Sequence, residues 1–94
     1  MKLTYHALAE TRLTRHAHLR MQQRSIPAAI VDLLLDYGEP MAVGGGATSY
    51  RFTRQSWADA VASAGSAAAR IAKYRKAYVI ESSDGTVITA AWLQ

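Results

Sequence analysis

Residues 77–93 read "AYVIESSDGTVITAAWL", and this stretch decides the fold. Two runs rich in β-branched and aromatic residues flank Asp84-Gly85, the pair favoured in a tight two-residue hairpin turn. With that turn, Ser83 faces Thr86, Ile80 faces Thr89 and Tyr78 faces Ala91. Tyr78 and Thr89 are then diagonal neighbours on one face, within reach of a large side chain.

Working outward, "TSYRFT" (48–53) alternates and predicts a strand, with Tyr50 and Phe52 on one face and Arg51 and Thr53 on the other. "MAV" (41–43) predicts a short strand before it, across the flexible triple glycine 44–46. Between the two strand pairs a helix is expected from about Arg54, with Trp57, Val61, Ala64, Ala68 and Ile71 as its apolar stripe and Gly65 splitting it.

Upstream, "SIPAAIVDLLLDYGEP" predicts a helix from Pro27 to about Tyr37, with proline in its first turn and Gly38 at its end. Ile30, Leu33, Leu34 and Tyr37 recur at helical spacing and should face the core. Thr14 is placed to cap a helix over Arg15 to Arg24, with Leu13, Ala17 and Met21 inward. An earlier helix from Tyr5 to Arg12 is also expected. Runs of like elements plus a hairpin imply an α+β fold. Two N-terminal helices and a further helix should pack on a small twisted, mainly antiparallel sheet of about four strands. A length of 94 residues, half of them apolar, suits one domain over 1–94.

The formal net charge of +4 favours acidic partners or polyanions. The chain has no cysteine, which excludes disulfides and thiol catalysis. The N-terminus lacks a signal-peptide core, and the alanine-rich run 57–72 is too polar to span a bilayer. A soluble cytoplasmic protein without a membrane partner is expected.

The chemistry gathers on "RHAHLRMQQRSIP" (15–27). Residues four apart share a helix face, so His16, Arg20 and Arg24 are read as one stripe beside the inward Ala17 and Met21. Histidine moves protons near neutral pH, and arginine clamps phosphate with paired donors. Such a set suits metal-free attack by an RNA 2′-hydroxyl; it equally suits a solvated basic helix. His16 and His18 diverge by about 200° on a helix and cannot share an ion, so no metal and no cofactor are expected. Tyr78 and Thr89 offer hydroxyls from the hairpin, though both are also ordinary strand formers. Arg51, Lys73, Arg75, Lys76 and Tyr50 complete a basic, aromatic-bearing surface suited to single-stranded RNA. Cations after a helix also simply favour its dipole.

"HAHLRMQQRSIP", "IVDLLLDYGEP", "YRFT" and "AYVIESSDGTVITAAW" together resemble a small bacterial family of domains of unknown function. Its opening motif, His-Ala-x-x-Arg-Met-x-x-Arg-x-Ile, falls on His16, Ala17, Arg20, Met21, Arg24 and Ile26. Its closing motif falls on Tyr78, Val79, Asp84, Gly85, Ile88 and Thr89. That family is similar to the RelE-like toxins of the barnase and colicin-type ribonuclease fold group. The resemblance implies a toxin of a type II toxin-antitoxin system acting as a metal-independent endoribonuclease. RNA, free or on the ribosome, would be its substrate, and a cognate antitoxin its protein partner. His16 would transfer protons, Arg20 and Arg24 would hold phosphate, and Thr89 with Tyr78 would position substrate. Ser25 departs from the family, standing where glycine is common, and "AAWLQ" closes the chain where a basic residue often follows. A non-catalytic nucleic-acid-binding or antitoxin-binding module is the competing reading.

Overall fold

A computed structural model describes residues 12–94. Within them the chain is α+β. Strand β1 (Arg12–Leu13) leads into α1 (Arg15–Gln23) and α2 (Ala28–Tyr37). Strands β2 (Glu39–Gly44) and β3 (Ala47–Arg51) follow, then α3 (Arg54–Ala64). After a 3₁₀ turn (Gly65–Ala67), a short α4 (Ala68–Ile71) and a second 3₁₀ turn (Ala72–Tyr74), β4 (Ala77–Glu81) and β5 (Thr86–Trp92) close the fold. The strands form one sheet in the order β1-β5-β4-β3-β2.

The closing hairpin pairs Ile80 with Thr89 and Tyr78 with Ala91, as its sequence predicts. Its tip differs. Ser82 pairs with Thr86 (N to O 2.8 Å), and Gly85 N donates to Ser82 O at 3.0 Å with Gly85 in the left-handed region (φ 87). The loop is thus three residues, Ser83-Asp84-Gly85, and not the two-residue turn expected. Ser83 does not face Thr86. Asp84 explains the choice: its Oδ1 accepts from Thr86 N at 3.1 Å and from the Ser82 hydroxyl. Those bonds, Ser82 foremost, with Arg12 nearby, hold its carboxyl below the ordinary range. The one-residue slip is absorbed by Ile88, which has no opposite number between the Ile80–Thr89 and Glu81–Val87 pairs.

β1 is the fifth strand. It runs parallel to β5, Arg12 beside Thr86 and Leu13 beside Val87. The other pairings are antiparallel, so the sheet is mixed. The helix expected over Tyr5 to Arg12 lies outside the described residues except for Arg12, which is strand. Its guanidinium reaches the Asp84 backbone oxygen and stands 4.0 Å from the Asp84 carboxylate, and strand pairing fixes its backbone.

α1 begins where expected, with Thr14 Oγ1 accepting from Ala17 N at 3.0 Å. α1 and α2 cover the sheet face that carries Val79, Val87 and Ala90. Ala17, Ile30, Val31 and Leu34 meet those residues in a core at 1 % exposure or less. Each large side chain there contributes about 1.5–3 kcal/mol on burial. Leu33 and Tyr37 pack at its margin.

Thr53 and Ser56 form a reciprocal capping box for α3 (Ser56 N to Thr53 Oγ1 3.2 Å, Thr53 N to Ser56 Oγ 2.7 Å). The fully inward row of α3 is Ser56 and Ala60. Of the apolar stripe read from the sequence, Trp57, Val61, Ala64, Ala68 and Ile71, all five are half-buried, and Trp57 and Ile71 pack at the core margin. Small side chains let α3 approach α2, while Trp57 turns aside to meet the Phe52 ring edge-on at 4.8 Å. β2 is the outer strand and is exposed along its whole length. Pro40, which has no N–H to give, is suited to that edge position.

Two helix ends carry predictions. Gly38 closes α2 with ordinary dihedrals (φ −64), yet a Cβ there would lie 2.5 Å from Leu34 O and 3.3 Å from Arg51 O. Gly38→Ala should lower stability by about 1–3 kcal/mol in urea unfolding. α1 ends in a Schellman motif: Ile26 N bonds to Met21 O (2.9 Å) and Ser25 N to Gln22 O (3.3 Å). Ser25 sits at φ 55, the position where glycine is relaxed. Ser25→Gly should raise stability by roughly 0.5–1 kcal/mol, read as a higher melting temperature.

Candidate nucleic-acid interface

A helix of 3.6 residues per turn sorts α1 into rows of spacing i, i+4, i+7. Ala17 and Met21 form the buried row, and Arg24 continues it. One flank carries His16, Arg20 and Gln23. The other carries His18, Gln22 and Ser25.

The buried row clamps α1 to β5. Arg24 Nη1 donates to Ala90 O at 2.9 Å, on the β5 edge that β1 leaves free, and Trp92 Nε1 donates to Arg24 O at 3.0 Å. His16, Arg20 and Arg24 therefore do not form one stripe. Eight residues overshoot two turns by about 80°, which carries Arg24 onto the core row, where its head group reaches the sheet. His16 and Arg20 remain together: Arg20 Nε donates to His16 Nε2 at 3.4 Å, and Arg20 Nη1 donates to Gln23 Oε1 at 3.2 Å. His16 is exposed.

The sheet residues fall into two groups. Arg51, Tyr78 and Ala91 are cross-strand neighbours, and Ser49, Ile80 and Thr89 form the adjoining rank. These alternate with Val79 and Ala90 and so point away from α1 and α2. Arg51, Tyr78 and Thr89 share that face, with Tyr78 and Thr89 diagonal as predicted. No hydrogen bond among the described residues joins them to His16, Arg20 or Arg24. Tyr50 points the other way. It packs at the core margin, and its hydroxyl donates to Glu81 Oε1 at 3.2 Å. Burial first, and then the Glu81 charge, raise its pKa.

Lys73, Arg75 and Lys76 stand exposed before β4. Lys73 Nζ lies 5.3 Å from the centre of the Tyr74 ring, and Tyr74 stacks on Trp92 at 6.0 Å and 17°. Beside this stack a groove of about 430 Å³ opens onto the His18 flank of α1. Met21 and Ile26 floor it, and Tyr74 faces the helix across it.

The groove was missed in the sequence, although two signals point to it. The i, i+4, i+7 row His18, Gln22, Ser25 is one. Charge polarity is the other: segments 11–31 and 60–80 hold eight of the eleven Lys and Arg and none of the seven Asp and Glu. Tyr74 and the α1–α2 turn bring these two segments together at the groove.

Among the described residues no group of three or more His, Asp or Glu is placed to hold a metal ion, and no helix is long and apolar enough to cross a membrane. Compared with protein-family models, curated proteins and solved structures, the chain matches none.

The two arginines of α1 should separate by measurement. Arg24→Ala should cost about 1.5–3 kcal/mol, because a charge-assisted bond to a half-buried carbonyl is lost. Arg20→Ala should stay within about 0.5 kcal/mol. Paired urea titrations of the two variants check this.

Proposed function

We propose that the chain is a metal-independent endoribonuclease, the toxin of a bacterial type II toxin-antitoxin pair acting in the cytoplasm, with RNA as substrate and a cognate antitoxin as partner. The observation that carries this reading is the His16–Arg20 pair, a proton carrier and a phosphate ligand held 3.4 Å apart on an exposed helix flank. In the free protein His16 Nε2 accepts from Arg20. A phosphate arriving at Arg20 draws the guanidinium to itself and frees that nitrogen for a proton. The 2′-hydroxyl then loses its proton to His16 and attacks the adjacent phosphorus. The P–O5′ bond breaks, the departing 5′-oxygen takes up a proton from water, and a 2′,3′-cyclic phosphate remains. Arg24 serves here as a positioning residue that fixes the flank. Arg51, Tyr78 and Thr89 hold the strand beyond the β5 edge.

One observation favours a second reading, RNA or antitoxin binding without chemistry. Arg24, one of the two expected phosphate clamps, is engaged with Ala90 O. The test is incubation of the purified chain with free RNA in EDTA and, separately, with ribosome-bound RNA in magnesium buffer, and analysis of the ends. Cleavage with cyclic phosphate termini is expected, falling about 10²–10⁴-fold in His16→Ala. Intact RNA with salt-sensitive binding would replace the first reading by the second.

A further inference from the structure

We propose that the groove between the His18 flank of α1 and Tyr74 is a nucleobase subsite for single-stranded RNA. This rests on the RNA-binding half of the function proposed above and is independent of cleavage. Four observations carry it.

The first is the make-up of the walls. His18, Gln22 and Ser25 line one side, and none of their side chains makes a hydrogen bond among the described residues. An imidazole, an amide and a hydroxyl supply both donors and acceptors in a row. The floor and the far side are apolar and aromatic. A flat heteroaromatic ring with a polar edge matches both walls at once, whereas an aliphatic side chain would leave the polar row unmatched. The second is size: about 430 Å³ lies within the range of small-ligand sites.

The third is charge. Tyr74 brings the acid-free basic segment 60–80 to a groove lined otherwise by the acid-free basic segment 11–31, and Lys73 Nζ lies 5.3 Å from the centre of the Tyr74 ring. A base seated there places its phosphate among cations. The fourth is Ser25. A serine held at φ 55 keeps a conformation that glycine would adopt with less strain, and its side chain lines the groove. Relative to glycine, serine adds a Cβ and a hydroxyl at that position.

The subsite and the His16–Arg20 pair lie on opposite flanks of α1. A strand reaching both crosses the solvent side of the helix, over Arg15 and the 44 % exposed Leu19.

The experiment is an amide-resolved NMR titration of the full chain. The probes are a 2′-O-methyl octaribonucleotide, which cannot be cleaved, the four ribonucleoside monophosphates, ribose 5-phosphate, and an acidic peptide carrying one leucine. The octamer should shift the Gln22, Ser25, Ile26 and Tyr74 amides and bind more tightly than any monophosphate. Ribose 5-phosphate should leave them in place. Ser25→Gly should weaken octamer binding about three- to tenfold while raising the melting temperature, and Gln22→Leu should weaken it similarly without unfolding. Equal shifts with ribose 5-phosphate would reduce the groove to phosphate attraction and overturn the proposal. Shifts with the peptide alone would make it a protein anchor site, and a monophosphate binding as tightly as the octamer would make it a free-nucleotide site; either result also overturns it. Bound octamer with no cleavage of ordinary RNA would end the endoribonuclease reading and leave the subsite standing.

Discussion

The attachment of α1 to β5 governs the rest of the molecule. At the start of the helix, Thr14 N donates to Val87 O at 3.0 Å, and the Thr14 hydroxyl reaches the carbonyl of the bulged Ile88 at 3.5 Å. At its end, Arg24 bonds Ala90 O and Trp92 bonds Arg24 O. Between them Ala17 is fully buried against the sheet. A nine-residue helix is marginal by itself, so this clamp supplies what propensity does not. It also fixes the rotation of the helix about its axis. With the middle row locked inward, one flank must present His16 and Arg20, and the other must present His18, Gln22 and Ser25.

The hairpin tip feeds the same attachment. Asp84 selects the three-residue loop, and the loop shifts the register by one. The bulge at Ile88 absorbs the shift and turns a carbonyl toward Thr14. Arg12, beside Asp84, secures β1 against the same end of β5. The groove depends on the opposite end, where Trp92 carries both the Arg24 contact and the Tyr74 stack. One strand thus positions the cap of α1, its terminal clamp and the aromatic wall of the groove.

Much of this was legible in the residues. Counting back from a two-residue turn gave the Ile80–Thr89 and Tyr78–Ala91 pairs, which hold because the bulge at Ile88 offsets the longer loop, and Thr14 announced the start of α1. What escaped depended on contacts remote in sequence. The i+8 drift of Arg24 follows from helix geometry, but its partner, the Ala90 carbonyl, lies 66 residues away. The inward row of α3 went to Ser56 and Ala60 because close approach to α2 favoured small residues over Trp57 and Val61. Arg12 became strand because β5 offered an edge. The site was legible in part: His16 with Arg20 came from spacing, whereas the groove required Tyr74 to be folded back beside the α1–α2 turn.

In the proposed function α1, held by its buried row, is the element that meets RNA, with work divided between its flanks. The most direct test is photo-crosslinking of an RNA octamer bearing 4-thiouridine, followed by mass-spectrometric mapping of the labelled residues. Labels on Tyr74 and on residues of the α1 flanks are expected. Labels confined to the sheet face around Tyr78, with α1 and Tyr74 unmarked, would contradict it.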